Sequence, residues 1–419
     1  MLMNDTPRKR TVASCTVLAL ALGAGTTGCG GQDSHPLSAR PYDAARQVAF
    51  NAPPSGTKAD PDKPLVVTAK GKDGRITDVT AVDTAGRYLA GELSADGARW
   101  SSTAPLAAGT RYTVRVATEN GGGAPGLRTL TFETASPKRL LGIELGPKAG
   151  TYGVGQPVTA ELSSPVSATA DRAAVERSLK VTSDPAVEGA WHWVDDKKLH
   201  YRPKEYWPAG ASVEVRSTLD GVKVGDRLYG GPAKPLKLTI GDRVEAVTDA
   251  STHRMTVKRN GEVINTIPVT TGKPGFSTRN GVKVVLGKEY FVRMRGTSIG
   301  IPVGSAESYD LPVYYATRVT WSGEYVHAAP WSVGSQGYAN VSHGCTGMST
   351  AHAAWFFRNV REGDIVEVVN SLGAPMDPFG NGFGDWNLDW DEWRTGSALL
   401  QGTRDGAAGT GGARLRPRV

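Results

Sequence analysis

The chain of 419 residues has a formal charge of +7 and 39% hydrophobic residues. It is long enough for about three domains and too apolar for a disordered polymer. With Gly 52 and Pro 26 the composition favours short strands and turns over long helices. The pI near 9.2 suits anionic surroundings. No basic cluster is interleaved with aromatics and no nucleic-acid-binding motif is present, so nucleic acid is not an expected partner.

The N-terminus reads as an export signal. Arg8, Lys9 and Arg10 form a basic region, and residues 12–22 are an apolar run shorter than a spanning helix needs. Thr26-Thr27-Gly28-Cys29-Gly30 looks like a bacterial lipobox, in which Cys29 becomes the lipidated first residue, although Thr26 stands where Leu is preferred. The expected order begins with a signal at 1–28 and a polar tether at 29–57. The lipid would hold the protein on the outer face of the cell membrane, in the cell wall space.

Residues 58–138 and 139–241 carry dense strand patterns broken by Gly and Pro. Ala108-Gly109-Thr110-Arg111-Tyr112-Thr113-Val114 is echoed about a hundred residues later by Ala209-Gly210-Ala211-Ser212-Val213-Glu214-Val215. That spacing predicts two immunoglobulin-like β-sandwiches without an intersheet disulfide. A third, β-rich domain is expected over 242–370. It opens on a hairpin at Asn260-Gly261, a pair that tolerates positive φ at both turn positions. Ala353, Phe356, Phe357 and Val360 fall at helical spacing behind a cap at Ser349 or Thr350, and residues 365–369 read as a closing strand. Trp386, Trp390 and Trp393 also recur at helical spacing. They predict a helical aromatic face in a small subdomain, 371–401, that clamps onto the third domain. The Gly-, Ala- and Arg-rich tail at 402–419 predicts disorder. The fold class is therefore mostly β.

With Cys15 in the signal and Cys29 lipidated, Cys345 is the thiol left free in the mature chain, in Ser342-His343-Gly344-Cys345. An exported protein that keeps one unpaired thiol is unusual. A thiol becomes a nucleophile when a base takes its proton, and both His327 and His343 are near enough in sequence to serve. Gly344 permits a tight turn, and the backbone N–H of Cys345 with its neighbours would form an oxyanion hole. Zinc on His327, His343 and Cys345 lacks a convincing fourth ligand, so no metal is expected, and no organic cofactor. His352 reads as a surface or packing residue, and His35, His192, His200 and His253 show no constellation.

His327, the Ser342–Cys345 motif and the run Gly323-Glu324-Tyr325-Val326-His327-Ala328-Ala329-Pro330-Trp331-Ser332-Val333-Gly334 resemble L,D-transpeptidases with a YkuD-type catalytic domain. Gly384-Asp385-Trp386-Asn387 extends the likeness, and the domain order resembles the actinobacterial multidomain subset. The resemblance implies peptidoglycan tetrapeptide stems as donor and acceptor. Cys345 would form a thioester with release of the terminal D-alanine, and a neighbouring stem's amine would capture it as a 3→3 crosslink. It also implies His327 as the general base, oriented by the Ala328 carbonyl, with His343 tuning the thiol. Tyr309 would assist the oxyanion, while Met294, Ser322, Gly323, Trp331 and Ser342 surround the substrate. In one departure, the family's asparagine two residues after the cysteine is Gly347 here. That change implies lost hydrogen bonds, a looser loop and an altered donor or acceptor preference. An L,D-carboxypeptidase on the same site and a non-enzymatic wall-binding protein are the alternatives.

Overall fold

The computed structural model describes residues 40–53, 56–71 and 74–400. The export signal, the Cys29 lipidation site, the start of the tether and the 402–419 tail lie outside the described residues.

Two four-stranded sheets form the first sandwich. One runs Tyr42–Asp43, Pro125–Glu133, Arg111–Asn120, Gly74–Asp83; the other runs Val48–Phe50, Val66–Ala69, Arg99–Ser102, Gly91–Leu93. Alternation in Arg111–Asn120 sends Tyr112, Val114 and Val116 inward to meet Val67, Ile76 and Trp100. The sandwich begins near residue 42, so the expected boundary at 58 is too late. Its first strand is two residues long, pairing Tyr42 with Gly126 and Asp43 with Leu127, and a strand that short has no readable period.

The second sandwich has sheets Ile143–Gly146, Val158–Leu162, Lys198–Pro203, Gly189–Trp193 and Gly150–Tyr152, Leu236–Ile240, Ser212–Ser217, Leu179–Asp184. Gly109 and Gly210 have φ of 67° and 79° and lead into corresponding strands of the two sandwiches. The sequence echo is thus a repeated left-handed turn. A helix at Thr169–Ser178, which the pattern did not suggest, sits beside the second core.

The third domain joins a five-stranded sheet to a four-stranded one. Val244–Asp249 runs parallel to Ile365–Val369, which pairs antiparallel with Gly281–Val284. Asn260 and Gly261 have φ of 51° and 91° and turn Arg254–Arg259 into Glu262–Pro268 as the hairpin signal requires. The helix Thr350–Asn359 starts at Ser349, whose hydroxyl accepts the His352 N–H, and buries Ala353 and Phe356. The second sheet runs Gly287–Arg295, Asp310–Arg318, Tyr325–Ala328, Thr346–Met348. Its last two strands are parallel, with Val326 opposite Thr346, His327 opposite Gly347 and Ala328 opposite Met348.

The C-terminal segment departs from expectation twice. Trp386 lies on a short 3-10 turn, Asp385–Asn387; Leu388 is extended; a separate helix occupies Trp390–Thr395. Asp389 caps that helix by accepting the Glu392 N–H, so one continuous aromatic face does not form. The segment also clamps chiefly onto the second sandwich. The Arg202 guanidinium lies 4.8, 5.6 and 4.7 Å from the rings of Trp386, Trp390 and Trp393. The Trp393 indole N–H donates to the Ala190 carbonyl at 3.0 Å. His192 and His200, which suggested no constellation, hold the Trp393 carbonyl at 2.8 Å and the buried Asp385 carboxylate at 2.7 Å. Asn387 bonds both the N–H and the carbonyl of Val282 at 2.8 Å, tying the same segment to the third domain.

Trp393 is fully buried. Trp393→Ala is expected to lower stability by about 3–5 kcal/mol, read as a fall in the urea midpoint by circular dichroism. An unchanged midpoint would refute its role as the anchor.

Candidate active site

A cleft of about 970 Å³ opens on the four-stranded sheet. Cys345, His327, His343, Gly344, Ser342, Tyr309, Met294, Ser322, Gly323 and Trp331 all line it. Ala328 is buried behind it and contributes its carbonyl.

Parallel pairing sets the reacting groups. His327 is the third residue of the strand Tyr325–Ala328, and Cys345 immediately precedes Thr346–Met348. The His327 Nδ1 lies 2.8 Å from the Ala328 carbonyl. A carbonyl only accepts, so Nδ1 carries the proton and Nε2 keeps its lone pair. Burial holds the His327 pKa below its ordinary value, partly offset by that carbonyl. The imidazole is therefore neutral at neutral pH. The Cys345 thiol donates to the Gly323 carbonyl at 3.6 Å. Burial pushes its pKa up to about 12, against the Tyr325 backbone N–H, which favours the thiolate. The resting pair is a neutral thiol and a neutral base, and the proton moves as the sulfur attacks.

Gly344 has φ of 119°, a conformation that favours glycine, and its carbonyl accepts from the Thr278 hydroxyl at 2.7 Å. The Ser342 hydroxyl accepts the Gly344 N–H at 3.1 Å and donates to the Cys345 carbonyl at 2.6 Å. Ser342 therefore stiffens the turn and withdraws the Gly344 N–H from the expected oxyanion cradle. His343 turns its Nε2 to the Glu307 carboxylate, 2.6 Å away, which also takes the Lys273 ammonium at 2.5 Å. With Phe276 and Tyr309 against its ring, His343 braces the loop that carries the thiol. Burial raises the Tyr309 pKa, so its hydroxyl stays protonated as a donor.

Gly347 does not loosen the loop. It is buried in a strand, and its N–H and carbonyl bond Thr270 at 2.8 and 2.9 Å. A Cβ there would stand 2.9 Å from the Ala329 Cβ and 3.1 Å from the Thr270 Cγ2. Sequence reasoning also missed Lys283, fully buried beneath the cleft with its ammonium 3.0 Å from the Glu324 carboxylate. A lone lysine in a strand pattern reads as a solvent-facing residue, so no local signal marked it.

Immunoglobulin-like sandwiches before a cleft that joins a histidine on one strand to a thiol just ahead of the neighbouring strand define a multidomain protein with a candidate thiol nucleophile. Comparison with known proteins is specific. A bacterial Ig domain family matches residues 56–223, and the L,D-transpeptidase catalytic domain family matches residues 243–368. L,D-transpeptidase 2 of Mycobacterium tuberculosis (strain CDC 1551 / Oshkosh) is 42% identical over 80% of this chain and 81% of its own length. L,D-transpeptidase 5 of Mycobacterium tuberculosis (strain ATCC 25618 / H37Rv) is 33% identical over 94% of this chain and 88% of its own. A solved Mycobacterium tuberculosis L,D-transpeptidase 1 superposes with a TM-score of 0.44 at 35% identity, over 56% of this chain and 100% of that one. The chain belongs to the L,D-transpeptidase family and is an enzyme.

Gly347→Asn, which introduces the family's asparagine, is expected to cost about 1–3 kcal/mol through overpacking and to reduce turnover. Thermal melts beside the activity assay check it, and a stable, faster variant would overturn the packing argument.

Proposed function

We propose that the protein crosslinks peptidoglycan stem peptides 3→3, with Cys345 as nucleophile and His327 as general base. The observation that carries this reading is the His327 tautomer. With Nδ1–H spent on Ala328, Nε2 is left as a neutral acceptor in the cleft that holds the thiol. Sγ attacks the carbonyl of the third, diamino-acid residue of a donor tetrapeptide, and the S–H proton passes to Nε2. The tetrahedral intermediate collapses, its C–N bond breaks, and Nε2 returns the proton to the departing D-alanine amine. The side-chain amine of a second stem then attacks the thioester, loses its proton through Nε2 to the leaving sulfur, and forms the new amide. One peptide bond breaks and one forms, so no cofactor and no net water are needed. The Cys345 N–H and the Tyr309 hydroxyl would donate to the oxyanion. We further propose that Cys29 is lipidated and that the two sandwiches hold the cleft away from the membrane.

The test is incubation of the purified enzyme with a tetrapeptide donor and an amine acceptor. Crosslinked product with equimolar D-alanine is expected, and Cys345→Ala should abolish both. D-alanine release without crosslinked product would replace transfer by hydrolysis, and activity in Cys345→Ala would remove the thioester altogether. Removing the base should cost about 10²–10⁴-fold in His327→Ala.

The pH profile follows from the lowered His327 pKa. The base becomes protonated only below its ordinary value of about 6.5, so kcat/KM should be flat through neutrality and fall on the acid side of that value. An acid limb centred above pH 7 would contradict the assignment.

A further inference from the structure

The buried cluster under the thiol is used by no step above. Lys283 is fully inaccessible. Its ammonium donates to the Arg279 carbonyl at 2.6 Å and lies 3.0 Å from Glu324 Oε2. The Arg279 guanidinium binds the other Glu324 oxygen at 2.9 Å. Glu324 is the middle residue of the segment that touches the sulfur. On one side of it, the Gly323 carbonyl accepts from the thiol. On the other, the Tyr325 backbone N–H faces the sulfur and favours its anion. Gly323 has φ of 102°, and the Glu324 N–H and carbonyl are held by Thr320 Oγ1 at 2.8 Å and the Val319 N–H at 3.0 Å. A segment anchored at its centre presents one acceptor for the thiol and one donor for the thiolate.

We propose that Lys283 is a positioning residue for the nucleophile: through Glu324 it fixes the 323–325 segment against the sulfur, and its cation offsets the Glu324 charge when the S–H proton has passed to His327. A buried carboxylate beside a forming thiolate opposes ionisation, and the ammonium on its far side cancels part of that opposition. The two act on Cys345 in opposite senses, Glu324 raising and Lys283 lowering its pKa. Arg279 and Cys345 are the other charged or titrating groups acting on Lys283. Around the thiol stand Tyr309, His327, His343 and Arg279.

The inference rests on Cys345 as the nucleophile but is tested without an acyl donor. The full chain is alkylated with iodoacetamide between about pH 7 and 9, far below the Cys345 titration, where the rate follows the thiolate fraction, and modification of the Cys345 peptide is followed by mass spectrometry. Lys283→Met should slow alkylation about tenfold at each pH, the change that one pH unit in the thiol pKa makes. Glu324→Gln should speed it. A purely structural role would loosen the segment and change both variants in the same direction. Unchanged rates, or changes of one sign, in variants with native circular dichroism overturn the proposal. If Lys283→Met does not fold, Glu324→Gln decides, and a rate unchanged or slowed refutes the inference. Residual transfer by Cys345→Ala would sink the proposed reaction while leaving these rates readable.

Discussion

Three residue pairs of parallel strand hold the active site together. Val326–Thr346, His327–Gly347 and Ala328–Met348 are the register that brings a histidine and a cysteine into one cleft from opposite ends of a surface loop. Parallel strands need a crossover, and here the crossover is the segment that carries Trp331, Ser342 and His343. Every other feature of the site serves this pairing. Thr270 bonds Gly347 from the opposite side, Gln336 donates to the Ala329 carbonyl at 2.9 Å, and the Ser342 hydroxyl closes the turn before the sulfur. The neighbouring side chains close over the strand so tightly that position 347 admits no side chain without displacing Ala329 or Thr270. The glycine is a packing solution, and the loop is as well anchored with it as the hydrogen bonds around it allow.

Burial keeps both thiol and imidazole uncharged, so the energetic burden of ionisation falls on the moment of attack. The charged groups nearby are paired. Glu307 is neutralised by Lys273 and bonded to His343, and Glu324 lies between Arg279 and Lys283. The buried Glu324–Lys283 pair acts as a fixed dipole that needs no rearrangement when charge develops, whereas Glu307 and Lys273 are partly exposed.

Much of this was legible in the sequence, for physical reasons that differ by element. The Asn260-Gly261 hairpin and the Ser349-capped helix are local, and local chemistry decides them. The thiol motif is local too, and the histidine and glycine directly before the cysteine marked it. What could not be read was set by distant partners. Asp385 meets His200 across 185 residues, and Glu176 accepts from Ser397 and the Ala398 N–H across 221 and 222. The tryptophan spacing misled because periodicity is blind to caps. Asp389 with Glu392 three residues on is a capping signature that starts a new helix inside the apparent period. His343 read as a candidate base because adjacency in sequence says nothing of where a ring turns, and Glu307 on another loop turned it.

The Arg202–tryptophan contacts bear on how this architecture can be inherited. The C-terminal strap is stitched to the second sandwich and to the catalytic sheet at once, and Val284 and Ile365 of the catalytic domain belong to the sandwich's own apolar core. The Gly153 N–H reaches the Glu362 carbonyl at 2.8 Å, an approach a Cβ on Gly153 would block. Recombination that separated the chain near residue 242 would strand an apolar face on each product. The cassette that can be exchanged intact runs from the second sandwich through the strap, whereas the first sandwich, joined by the polar contacts of Arg87 and Asp62, is the part a lineage can add, drop or duplicate.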